Sequence, residues 1–390
     1  MGLGTIKAAL EIVFEILGID LKLPVRQTIS NWTEKCGAAV YCAAGRELAH
    51  AKYAIIVDES IAIGSQKLLL ILAVPAEHAG RPLEHGDVVV LGIHVAPSWS
   101  AAEISAKVEE AQKKVGHPAE YTVSDGGHNV KRGLEDTEIT RHSDISHAMG
   151  AMLKNAYGKD ERYNEFQSLL GKKRLEYHLT PKAYMLPPNM RTICRFMNTF
   201  DWVDWAIMVI DAYPSLPGEL REAFAFVLPY EPLVRELKAI DDCIKDVEKR
   251  CKREGFSKLT ALWCFRKAKE SLVTNESATN KMRLVGSEMC SYFLDEMGKL
   301  GSDLSRVNIS SDIEESLFGI FKFKKSPDKL CGVRSSVLSL ALYGKLSTPE
   351  KRKSFDFKEC LEAVRMADLK EWRDLNLLDN WRVERRKLIS

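Results

Sequence analysis

Between Ala51 and Val74 the chain reads AKYAIIVDESIAIGSQKLLLILAV, two apolar runs rich in Ile, Leu and Val. Runs of this length and branching read as buried β-strands, and Ser60 to Gln66 between them suits a hairpin connection. The first run closes on Asp58, which places a carboxylate at the rim of the expected sheet. There it either caps a turn or holds a metal ion, and the order of the elements downstream bears on the choice.

Upstream, apolar residues recur every three or four positions over residues 5–17 and predict an amphipathic helix. After Gly18, LPVRQTISNWTEKCG predicts a second helix starting at Pro24. Two short helices around a Gly-containing turn suit either a helix-turn-helix or a plain helical hairpin. In the first case Arg26, Gln27, Ser30 and Asn31 form the polar face that reads DNA.

Downstream, residues 66–74 and 87–95 are further strands, and SAAEISAKVEEAQKKV is a helix capped by Ser98 or Ser100 with Glu103 in its first turn. AEYTVSDGG is a fourth strand ending at Asp125, HNVKRGLED a short helix, TEITRHSDI a fifth strand and SHAMGAMLKNAYG another helix. In this last stretch Asp144 reads as a cap and His147 as partly exposed. The order β-β-β-α-β-α-β-α is the ribonuclease H-like α/β layout, a mixed five-stranded sheet with flanking helices. Its first and fourth strands lie side by side, which makes Asp58 and Asp125 neighbours. Two adjacent carboxylates repel and are stable together chiefly when a divalent cation neutralises them.

The expected organisation is a helical, helix-turn-helix-like region over 1–48, a first part of the catalytic core over 49–158 and an all-helical insertion over 159–306. A second part of the core follows over 307–346, then a charged helical tail over 347–390. In the second part of the core, SRVNISSDIEESLFGIFKFKK predicts a helix capped at Ser310 or Ser311, with Asp312, Glu314 and Glu315 complementing its dipole. Lys322, Lys324 and Lys325 give it a basic end that suits phosphate contacts or a solvated surface.

Net charge is only +2 over 390 residues, so nucleic-acid binding must come from local basic patches. The nine cysteines include no CxxC pair and no Cys/His spacing that suits zinc, and they read as free thiols of a cytoplasmic protein. No apolar run is long enough to cross a membrane. SDGG lacks the Lys-Ser/Thr of a phosphate-binding loop, so no nucleotide cofactor is expected.

With VDES around Asp58, SDGG around Asp125, the RHSDISHAM segment and SSDIEESLFGIFK around Glu315, the chain resembles the DDE transposases of bacterial insertion sequences. The resemblance implies Asp58, Asp125 and Glu315 as the catalytic and metal-binding acids, with two Mg²⁺ or Mn²⁺ ions between them. It also implies double-stranded DNA as partner, cleavage followed by strand transfer, and a homodimer or larger assembly on DNA. Glu315 is preferred to Glu314 because it directly precedes SLFG and shares a helix face with Phe318 and Lys322. In one transposase group Tyr and Arg precede the glutamate; here Asn308 and Ser311 stand at those positions, while Lys322 keeps the Lys position. The alternatives are a catalytically silent DNA-binding relative and a structure-specific nuclease on the same fold.

Overall fold

The computed structural model describes residues 3–63, 66–188, 196, 199–323, 332–379 and 381–389. It divides into two compact units. One comprises the chain to Glu77, Pro82–His142 and everything from Ser310 onward; the other comprises His78–Arg81 and Ser143–Ile309.

The first unit opens with α1 (Leu3–Ile16) and α2 (Arg26–Leu48) and is built on one five-stranded mixed sheet. Its strands are β1 (Tyr53–Ile63), β2 (Gln66–Pro75), β3 (Val89–Ala96), β4 (Thr122–Ser124) and β5 (Arg141–Ser143), in the order β3-β2-β1-β4-β5. β1, β2 and β3 are antiparallel neighbours. β4 runs parallel to β1, with Ile55, Ile56 and Val57 opposite Thr122, Val123 and Ser124. α3 (Ala101–Val115) and α4 (His128–Glu135) fill the connections on either side of β4.

Alternation along β1 sends Tyr53, Ile55 and Val57 to one face of the sheet. There they join Leu69, Ile71 and Leu91 in a core closed by Ala44 and Leu48 of α2, Ile104 and Val108 of α3, and Leu134 of α4. α3 starts where its capping signal lies: Ser100 accepts the Glu103 backbone N–H, and the Glu103 side chain accepts the Ser100 N–H at 2.8 Å. It stops at Gly116, whose φ of 97° is left-handed.

Two elements differ from the sequence expectation. β1 does not end at Asp58 but continues to Ile63, so Asp58 sits inside the β1–β2 ladder opposite Leu70. The Glu59 carboxylate pairs with Lys67 across that extension, and β-branched Ile61 and Ile63 carry the extended backbone further. The second N-terminal helix is not short either, because α2 runs for 23 residues. Its buried positions include the small residues Gly37, Ala38, Ala44 and Gly45, which let the helix backbone approach its neighbours closely. A Cβ at Gly45 would lie 1.9 Å from the Lys114 carbonyl oxygen of α3.

The second unit is helical: α5 (Ile145–Tyr157), α6 (Glu161–Tyr177), α7 (Thr199–Ala212), α8 (Gly218–Phe224), α9 (Glu231–Glu254), α10 (Lys258–Ala268) and α11 (Asn280–Gly298). Phe166 stacks on Tyr230 at 4.5 Å between ring centres, and Trp202 meets Phe166 edge-on. The α9 stretch that could pass for a coiled coil turns its apolar stripe, including Leu237, Ile240, Ile244 and Val247, into this unit's interior. The unit's two chain ends are stitched together, because the Ile145 N–H donates to the Ile309 carbonyl at 3.0 Å. Buried Cys251 and Cys264 stand 3.6 Å apart as free thiols.

Returning to the first unit, the chain forms α12 (Asp312–Phe323), α13 (Leu340–Lys345), α14 (Pro349–Ser354), α15 (Phe357–Ala363), α16 (Met366–Asn376) and α17 (Trp381–Ile389). Among the described residues no helix is long and apolar enough to cross a membrane.

Candidate functional site

Because Val57 faces Ser124 in the parallel ladder, Asp58 and Asp125 occupy the next level of β1 and of the chain leaving β4. Strand alternation points Asp58 away from the α3 and α4 core, to the opposite face of the sheet. Both aspartates are half-buried. Backbone amides fix their rotamers: the Glu59 N–H donates to Asp58 Oδ1 at 2.7 Å, and the Gly127 N–H donates to Asp125 Oδ1 at 2.9 Å. The second is a short Asx turn, and Gly127 accommodates it because a Cβ there would lie 3.0 Å from that same Oδ1.

α12 packs against β1 and α13 and brings in the third acid. Its buried side consists of Ile313, Glu314, Leu317, Phe318 and Phe321. Ser316 on its other side lies 3.1 Å from His85 Nε2 through its hydroxyl. Glu314 is 0% exposed, whereas Glu315 is exposed. The sequence expectation favours Glu315, whereas the glutamate that α12 buries is Glu314. Glu314 falls in phase with Leu317, Phe318 and Phe321 at i, i+3, i+4 and i+7, so the apolar stripe of the helix carries it inward. That signal is present in the sequence; the phase of Phe318 and Lys322 alone misses it.

Among the described residues neither Glu314 carboxylate oxygen has a hydrogen-bond partner. Burial, followed by the charge of Asp58 and then those of Asp125 and Glu315, pushes its pKa well above the ordinary 4.5. The Asp58 backbone N–H offsets this in part without closing a hydrogen bond on either oxygen. A buried, unpartnered carboxyl beside two other acids is costly, and it persists where a proton or a cation compensates it.

The donor set contains only carboxylates, the ligands that Mg²⁺ and Mn²⁺ take. Among the described residues, however, no three His, Cys, Asp or Glu side chains are gathered closely enough to hold a metal ion. Asp58, Asp125 and Glu315 lie near enough to Glu314 for their charges to raise its pKa, without forming such a group.

The residues expected to touch DNA are placed as follows. Arg26 and Gln27 are exposed and Ser30 and Asn31 half-buried in the first turns of α2. Gln27 donates to Asn31 Oδ1 at 2.9 Å, and Ser30 to Glu34 Oε1 at 3.2 Å. Farther along, α2 packs against α3, α13 and α15 within the sheet unit. Lys322 lies in the last turn of α12, and Lys324 and Lys325 lie outside the described residues. Asp144 and His147 belong to the helical unit, where Asp144 caps α5 by accepting the His147 N–H at 2.7 Å.

No protein-family model matches the chain and no curated protein matches it, which leaves the three acids of the sheet unit as the ground for a functional assignment.

Proposed function

We propose that the chain is a DNA strand-transferring nuclease of the DDE transposase type, built on a ribonuclease H-like sheet, with Asp58, Asp125 and Glu314 as its acids. The observation that carries the reading is the buried Glu314 carboxyl, without a hydrogen-bond partner among the described residues and close enough to Asp58 and Asp125 to feel their charge. The strand order β3-β2-β1-β4-β5, with β4 alone parallel to β1 among the paired strands, supports the fold.

Asp58, Asp125 and Glu314 are the residues that would hold two divalent ions, Mg²⁺ or Mn²⁺. When bound, such a pair activates an attacking oxygen and stabilises the leaving oxygen of an in-line displacement at phosphorus. The chain's own part is to keep the acids on a rigid sheet face and to exclude water from the Glu314 side, where Leu317, Phe318 and Phe321 are buried. An attacking water yields a cut strand, and the freed 3′-hydroxyl attacking a second duplex yields strand transfer. Neither step needs a covalent enzyme intermediate.

The test is incubation of the purified protein with duplex and branched DNA in Mg²⁺ or Mn²⁺, for the wild type and for Asp58→Asn, Asp125→Asn, Glu314→Gln and Glu315→Gln. The proposal requires metal-dependent cleavage and joining, lost in the first three variants and retained in the fourth. Cleavage without joining points to a structure-specific nuclease. DNA binding with neither activity points to a catalytically silent relative.

A further inference from the structure

We propose that Cys36 and Cys360 form a redox modification site, a dithiol that peroxide converts to a disulfide locking α15 onto α2. The C-terminal helices α15 and α16 run along α2. Trp32 of α2 meets Phe357 of α15 edge-on at 6.0 Å between ring centres, and Tyr41 of α2 meets Trp372 of α16 in the same manner at 6.3 Å. Cys36 follows Trp32 by one turn of α2, and Cys360 follows Phe357 by one turn of α15, so both cysteines lie on the faces that these contacts bring together. There the two thiols share a side-chain hydrogen bond, with Cys36 the donor. The docking they span is thin, since no residue of α15 is buried and α16 buries only Leu369. An element held by so little apolar contact opens at low cost, and a covalent bond to α2 opposes that opening.

A disulfide brings its sulfurs to about 2 Å, which thiols already in hydrogen-bond contact reach by side-chain rotation and a small shift of α15. Cys36 is 1% exposed and Cys360 half-buried, so an oxidant meets Cys360 first. Burial pushes the Cys36 thiol up to about 11. Burial, then Glu359 and Asp356, raise Cys360 as well, but the hydrogen bond from Cys36 acts on it in the opposite sense. The Cys360 thiolate attacks one oxygen of hydrogen peroxide and the O–O bond breaks. Cys360 becomes a sulfenic acid, and the departing hydroxide recovers the proton that Cys360 released. The Cys36 sulfur then displaces the sulfenic hydroxyl, which leaves as water with the Cys36 proton. Two thiols and one peroxide thus give one disulfide and two waters. The close pair Cys251 and Cys264, at 3.6 Å, lacks such an entry because both residues are buried in the helical unit.

The test adds hydrogen peroxide to the intact native chain, alkylates the remaining thiols and maps the unreduced digest by mass spectrometry. A peptide joining Cys36 to Cys360 should be the main crosslink, ahead of one joining Cys251 to Cys264, and dithiothreitol should remove it. Trypsin cleavage of the native protein at Lys358 and Arg365, which flank Cys360, should slow about tenfold or more on oxidation, because cleavage there needs α15 to open. Cys360→Ser should abolish both effects, while Cys42→Ser, at an exposed position on the same helix α2, keeps them. No crosslink between Cys36 and Cys360, or sulfinic acid at Cys360 in its place, overturns the proposal. A crosslink that leaves tryptic cleavage unchanged overturns the lock. If Cys360→Ser does not fold, the crosslink map and the proteolysis of oxidised against reduced wild type decide alone.

Discussion

Replacing Glu314 with glutamine keeps the shape of a fully buried side chain and removes its ability to ionise. In the wild type the fold holds Glu314 protonated at pH values where the unfolded chain has already released the proton, above the ordinary 4.5. The folded state then binds the extra proton, so the stability attached to this group is greatest below that value and falls as pH rises. The slope is about 1.4 kcal/mol per pH unit for as long as Glu314 keeps its proton. The loss with rising pH belongs to the wild type and is absent from Glu314→Gln, which has no proton to release. Thermal melts followed by tryptophan fluorescence at pH 5, 6 and 7 in a chelating buffer measure it directly. The wild-type curve should fall relative to the variant as pH rises, and Mn²⁺ should restore stability to the wild type alone. Parallel curves for the two proteins would refute the reasoning, as would Glu315→Gln reproducing the effect.

Other outcomes follow from the same structure. Asp58→Asn and Asp125→Asn should each lower metal-dependent DNA cleavage by about a thousandfold or more in single-turnover assays, while Glu315→Gln stays within about tenfold of wild type. Gly45→Ala places a methyl 1.9 Å from the Lys114 carbonyl oxygen and should cost about 1–3 kcal/mol or more in urea unfolding as α2 and α3 are forced apart. Gln66 is buried and accepts the Val333 N–H at 2.7 Å while donating to the Asp379 carbonyl at 3.2 Å. Gln66→Ala leaves that buried N–H unpaired and should cost about 1–3 kcal/mol, with the amide exchange of Val333 accelerated.

The strands and helices from Tyr53 to Tyr157 are legible in the sequence because each is marked by its own period and punctuation. The LLLILAV run, the Ser100–Glu103 capping pair and the Gly116 stop are local signals, and the sheet order follows from them once β4 is placed beside β1. Two departures from the sequence expectation have a common cause, which is that the deciding contact is remote. Ser60 to Ile63 reads as a turn until Lys67 is seen to pair with Glu59 across the hairpin and draw the ladder outward. α2 reads as a short polar helix because its second half, with Gly37, Ala38, Ala44 and Gly45, shows no apolar stripe. Small residues pack by letting backbones approach, a signal that hydrophobic periodicity does not register. The burial of Glu314 rather than Glu315 is legible in helix phase, because Glu314 is in register with Leu317, Phe318 and Phe321. That Glu314 lacks a hydrogen-bond partner among the described residues is a property of the folded chain alone.

The hydrogen bond from Ile145 to Ile309 bears on how the chain tolerates having its acids so far apart in sequence. Asp125 and Glu314 lie on either side of the whole helical unit, and an unstructured segment of that length would have to surrender its loop-closure entropy before α12 could meet β1. A compact unit that ties its entry to its exit offsets that cost with its own internal contacts. To the rest of the chain it is then equivalent to a short connection, whatever its own length. By this logic the segment between Ile145 and Ile309 is a place where a lineage could lengthen, shorten or exchange the insert without unsettling the sheet, provided the two ends stay joined.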